Sequence, residues 1–266
     1  MSGDEVWLSV IATILTGWFW GKWYLETNSF WSPRWHPAGR GPLRGAPIIA
    51  AVLLLVVLKT VASHDVINDG RYIYMYFALG MAWVGVTAKS FPAAGLMLRD
   101  DAVERRNPAV GPALGGAVIG VTAAYAGGNI GDGPGWWVVV VSAFLATGAL
   151  LFAWQMLEAS TGVGDAITIE RDEAAGWRLG GFLLAGGLIL GRSVAGDWVS
   201  LDATLGDAFR TGWPILPLFG IAVAFEKALR GDAVQPRPPV AVNGILPALA
   251  MLALAAGWLI RLGLPG

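Results

Sequence analysis

Apolar stretches long enough to cross a bilayer recur along the whole chain, separated only by short polar connections, and they restrict it to one class of fold. A stretch of roughly 18 or more apolar residues reads as a transmembrane helix, because backbone N–H and C=O groups in hydrocarbon must be satisfied within their own segment. The runs predict eight helices: Val6 to Tyr24, Ala46 to Ser63, Tyr72 to Leu98, Pro108 to Ala126, Trp136 to Leu157, Ala174 to Gly191, Asp207 to Ala228 and Val240 to Leu262. Pro92 is expected to break the third into a span and a short inner helix. At about 20 residues per crossing, eight spans leave no sizeable soluble domain in 266 residues. The 14% of charged residues agrees, since soluble domains carry about 25%.

Lys and Arg orient the spans, because short cytoplasmic loops collect them. The connections after the first, third, fifth and seventh spans hold Arg34, Arg40, Arg44, Arg99, Arg105, Arg106, Arg171, Lys227, Arg230 and Arg237, against Arg71, Arg192, Arg210 and Arg261 on the other side. Both termini are therefore expected to face away from the cytoplasm. The acidic start, Asp4 and Glu5, lacks the basic region of a signal peptide, so the first span is expected to be retained.

Internal similarity is the next constraint. The stretch Arg105 to Gly116 aligns without gaps to Glu170 to Gly181 at an offset of 65, matching Arg106 with Arg171, Ala109 with Ala174, Gly111 with Gly176, Leu114 with Leu179, Gly115 with Gly180 and Gly116 with Gly181. Fainter echoes begin at Arg44 and Arg237. The expected architecture is all-α and integral to the membrane, built from tandem parallel two-helix hairpins. They form one membrane domain: an N-terminal hairpin over 1–68, two similar hairpins over 69–200 and a C-terminal hairpin over 201–266. In each motif a cap precedes a close-packing face. Asn107 with Pro108, and Asp172 in the equivalent place, are expected helix starts. Gly111, Gly115, Gly116 and Gly120, then Gly176, Gly180 and Gly181, form small-xxx-small surfaces suited to helix contact in lipid. A phosphate-cradling loop would follow a strand, and none is predicted.

These residues resemble the bacterial membrane proteins of domain of unknown function 350, also called uncharacterised protein family 0719. The resemblance spans roughly Tyr72 to Trp198 and rests on Asn107, Pro108, Ala109, Gly115, Gly116 and Gly120, then Asp172, Ala174, Ala175, Gly176, Gly180, Gly181 and Gly187. It implies a polytopic inner-membrane protein with no established chemistry. This chain differs by carrying Asp172 where the second cap is usually an amide, and by adding a hairpin on each side.

Residues able to carry chemistry are sparse. There is no cysteine, and the two histidines, His36 and His64, lie outside the predicted spans; no metal site, cofactor or catalytic residue is expected. A net charge of -1 offers no footprint for nucleic acid. Lys59, Lys89 and Arg178 are the candidate contacts for a polar path or an ion, since intramembrane charge is functional by default. Lys89 is expected to snorkel to the interface, Lys59 to lie near Asp65 or Asp69, and Arg178 to pair with Glu173 or Glu158 or to meet a lipid headgroup. Fourteen tryptophans, including Trp18, Trp20, Trp23, Trp136, Trp137, Trp198, Trp213 and Trp258, suggest interfacial anchoring. The reading that results is a non-enzymatic subunit of a membrane complex, with the bilayer and a protein partner or second copy as its contacts. The alternative is a channel or transporter lined by Thr122, Tyr125, Asn129, Thr147 or Lys59.

Overall fold

Helix formers run unbroken between Gly, Pro and charged punctuation, and each run becomes a helix. A computed structural model describes residues 1–28, 40–230 and 239–263. The helices are α1 (Gly3–Thr27), α2 (Arg40–Thr60), the single turn α3 (His64–Ile67), α4 (Gly70–Thr87), α5 (Val110–Gly127), α6 (Trp136–Thr161), the short α7 (Val163–Thr168), α8 (Glu173–Ser193), α9 (Leu201–Gly212), α10 (Ile215–Leu229) and α11 (Leu246–Leu262). A tight 3-10 segment follows α4 over Ala88–Ala94, and widened π turns cover Leu98–Glu104 and Ala241–Ile245. The described residues contain no strand.

Among the described residues, five helices are long and apolar enough to cross a membrane: Gly41–Thr60, Val110–Gly127, Trp136–Thr161, Glu173–Ser193 and Ala241–Leu262. The pair α9 and α10, bent by 43°, raises the number to six if it is one span. The eight expected runs include two that fall short of that apolarity, α1 and α4. Their sequences spend positions on Trp7, Trp18, Trp20 and Trp23 and on Tyr72, Tyr74 and Tyr76, amphipathic rings that suit an interface better than the hydrocarbon centre.

Two expected helices differ in outline. The third ends as a span at Thr87 and continues as a short separate 3-10 segment holding Pro92, the expected break, which comes a few residues ahead of the proline. The seventh starts earlier, at Leu201, and is interrupted where Pro214 caps α10, because proline has no N–H to continue the α9 ladder. The sequence Trp31 to Pro37, with His36, and the echo at Arg237 lie outside the described residues.

The bundle is built around α5 and α8. Their apolar stretches are 89% and 83% buried, whereas those of α2, α6 and the last helix are 33%, 39% and 22%. Helix α5 packs against α2, α4, α6 and α8, and α8 against α5, α6, α9, α10 and α11. The outer helices turn apolar side chains outward: Ile48, Val52 and Val56 on α2, Phe144 and Phe152 on α6, Leu249 and Leu254 on α11. A core of small residues inside and large aliphatic and aromatic side chains outside inverts soluble-protein order and matches a lipid solvent.

Candidate functional site

The contact between α5 and α8 is made of backbone. Gly176 faces the Ala109 carbonyl, Gly180 faces Pro112, Gly116 faces Gly180, Gly120 faces Leu183, Gly187 faces Gly120, and Gly127 and Gly191 close the seam at the far end. A Cβ on any of these would overlap main-chain atoms of the other helix. Partner numbers rise together along both helices, so the two run parallel. Gly115 points elsewhere, to Pro42 of α2 at 3.4 Å, and Gly181 to Ala248 of α11. Gly111 is buried. The motif glycines thus serve three neighbouring helix contacts, and Gly127, Gly187 and Gly191 join them although sequence reading left their roles unassigned.

Ahead of each helix the chain makes the same turn. Arg106 and Arg171 are the only non-glycine residues with positive φ among those described, at 53° and 57°, a left-handed conformation costing roughly 1–2 kcal/mol for an L-residue. Asn107 N–H donates to Asp101 O at 3.0 Å and Asp172 N–H to Ala166 O at 2.9 Å. Ala109 N–H donates to Asn107 Oδ1 and Ala174 N–H to Asp172 Oδ1, both at 3.0 Å. Helix α8 starts directly after Asp172, but α5 starts only at Val110, so Asn107 and Pro108 shape the turn before the helix rather than its first residues. The Arg171 guanidinium donates to the carbonyls of Arg105 and Arg106, tying one turn to the other.

Different residues stand at the two caps because they have different second tasks. Asn107 Nδ2 donates to Ile167 O at 2.6 Å, which needs an amide. Asp172 Oδ2 lies 3.6 Å from Arg178 Nη2, which favours a carboxylate.

Arg178 is 1% exposed and is the central charge of the molecule. Its Nε and Nη2 donate to Glu226 Oε1 and Oε2 at 2.7 and 2.8 Å, and its Nη1 donates to Asn243 O at 2.7 Å. A planar fork meeting a carboxylate in two places is the strongest ion-pair geometry available to side chains. The expected partners Glu173 and Glu158 are not used: Glu173 lies five positions earlier, on another side of α8, while Glu158 Oε2 accepts from Gly164 N–H at 2.5 Å. Sequence reading missed Glu226. Its signal was helical phase, since the buried stripe of α10 is Leu218, Ala222 and Glu226, spaced four residues apart on one face. Nearby, Arg230 pairs with Glu170 and donates to Thr161 O at 2.8 Å.

The two lysines do not join this cluster. Lys59 is exposed, and Asp69 is taken by Arg71 at 2.7 Å; that guanidinium holds the Asp69 carboxyl down at about 2. Lys89 is exposed in the 3-10 segment after α4, its Nζ lying 5.4 Å from the Trp18 ring centre and 5.6 Å from that of Phe19, a cation–π arrangement. Of the supposed path-lining groups, Thr122 Oγ1 donates to Val118 O, Tyr125 OH donates to Tyr76 O, and Thr147 Oγ1 accepts from Trp83 Nε1. Trp20 and Trp23 are buried and donate to Met81 O and Leu43 O, so they bind α1 to its neighbours instead of standing at the surface.

Comparison with known proteins places the seam and Arg178 in context. A family model described as Domain of Unknown Function (DUF350) matches residues 48–194, from within α2 to just past α8. Asp172 and Arg178 fall inside that stretch, and Glu226 and Asn243 outside it. No curated protein and no solved structure matches the chain.

Proposed function

The chain belongs to the family Domain of Unknown Function (DUF350), and from that premise we propose that it is a non-enzymatic, multi-pass protein of the bacterial inner membrane acting as a structural or accessory subunit of a membrane complex. In this reading α1 and α4 join the more apolar helices to give eight crossings with both termini non-cytoplasmic. The crossings form tandem hairpins, with units at 1–68, 69–200 and 201–266, and the exposed tryptophans anchor them at the headgroups. No cofactor or metal is part of the proposal.

One observation carries it: the most buried part of the molecule is a seam of main chain against main chain, a surface suited to holding helices together and not to lining an aqueous path. Of the polar groups a conducting path would use, Tyr125 and Thr147 are bonded to neighbouring helices, Thr122 is bonded within α5, and Lys59 is turned outward. The test is affinity capture of the full chain from native membranes with mass spectrometry, beside flux assays in liposomes. A stoichiometric protein partner or a defined homo-oligomer, with no ion or solute flux, is the expected outcome. Flux by the purified protein, lowered in Lys59→Ala, would establish the channel reading in its place.

A further inference from the structure

At the end of the bundle opposite Arg178, α5 and α8 finish side by side and their exits stay paired: Gly196 N–H donates to Ile130 O and Trp198 N–H to Asp132 O, both at 2.8 Å. Just beyond the two helix ends lies a cavity of about 50 Å³, lined by Tyr76, Asn129, Asp132, Ser142 and the glycine-rich loop, with no Lys, Arg or His among its lining residues. Asn129 is 4% exposed. Its Nδ2 donates to Tyr125 O at 3.1 Å, while its Oδ1 accepts no hydrogen bond. A buried amide oxygen without a donor calls for an explanation in water or an ion.

The surrounding electrostatics choose between them. Two parallel helices present their C-terminal ends here, where partial negative charge accumulates and cations are favoured, against the single N-terminal end of α6 at Gly135. At the mouth, the exposed Asp132 lines the cavity, its backbone N–H donating to Asp197 Oδ1 at 2.8 Å. The available groups are amide, hydroxyl, carboxylate and backbone oxygens. Such a set suits hard cations, in contrast to metals that seek imidazole or thiolate, and no cluster of three His, Cys, Asp or Glu fit for a metal occurs among the described residues. At roughly 10–15 Å³ per water, the volume admits an ion with a partial hydration shell.

We propose that this cavity, with Asn129 at its base and Asp132 at its mouth, binds a hard, oxygen-seeking cation of the sodium or calcium kind. The proposal goes beyond the subunit reading and stands or falls without it.

The experiment is thermal melting of the full-length protein in detergent, titrated separately with the chlorides of sodium, potassium, calcium and magnesium, with choline chloride holding ionic strength constant. One cation should raise the melting temperature saturably, calcium with a midpoint near about 1 mM if it is the ligand. Asn129→Ala should move that midpoint at least tenfold higher. Asp132→Asn, at an exposed position that leaves the fold intact, should shift it in the same direction, more for calcium than for sodium. If Asn129→Ala does not fold, Asp132→Asn decides alone. The proposal is overturned if no cation gives a saturable response, as for a cavity holding only water, or if the midpoint is the same in the folded variants as in the parent.

Discussion

At the scale of single residues, adjacent glycines in one motif have different work, and that difference is measurable. A methyl group on Gly116 meets the backbone of Gly180, whereas on Gly115 it meets Pro42 at an ordinary 3.4 Å. Gly116→Ala should therefore lower the melting temperature sharply, while Gly115→Ala should be neutral or stabilising by up to about 1 kcal/mol, the helix preference of alanine over glycine. Equal effects at the two positions would count against the seam. The caps give a second pair. Asn107→Asp removes the donor to Ile167 O and sets a carboxylate against that carbonyl, which should cost about 1–3 kcal/mol; Asp172→Asn keeps the turn and weakens only the contact with Arg178, so unfolding assays should find it the milder change. The sequence displayed the caps and the glycines as types. It did not display which neighbour each glycine meets, because that depends on the rotation of α5 between α2 and α8, which no spacing within one helix reveals.

At the scale of helices, Arg178 joins the region the family model matches to the helices beyond it. Its partners Glu226 and Asn243 come from α10 and the turn before α11, so α10 and α11 are fastened to α8 by charge as well as by Gly181 against Ala248. Removing one member of a buried pair strands the other and costs about 3–5 kcal/mol, whereas replacing both with apolar residues of similar size is often neutral. Arg178→Met and Glu226→Leu should each destabilise strongly, and the double variant should recover most of the loss in chemical unfolding; additive losses would show that the pair does not act as a unit. Arg178 was visible as a buried charge within a predicted span, yet its partner lay 48 positions away. The nearer carboxylates, Glu173 and Glu158, were the natural candidates by sequence distance, and helix packing overrode proximity. The break between α9 and α10 had a local sign in Pro214, but the start at Leu201 did not, because Asp202 and Asp207 interrupt the apolar run that marks a span.

At the scale of the whole molecule, the account rests on α5 and α8 beginning on one side of the membrane as repeats of one unit. The positive φ at Arg106 and Arg171, the matching turns before Asn107 and Asp172, and the parallel seam all support that reading. The membrane class was legible in composition and run length alone, since both follow from the solvent. The number of crossings is harder to read where aromatic residues dilute hydropathy, as in α1 and α4. The absence of cysteine from the chain makes the most direct measurement simple: single cysteines placed at Asp65, Asp100, Pro134, Asp165 and Asp202, labelled with a membrane-impermeant maleimide in intact spheroplasts and again after permeabilisation. The account predicts that positions 65, 134 and 202 react in intact spheroplasts and that positions 100 and 165 react only once the membrane is opened. Positions 100 and 165 reacting from opposite sides would contradict it.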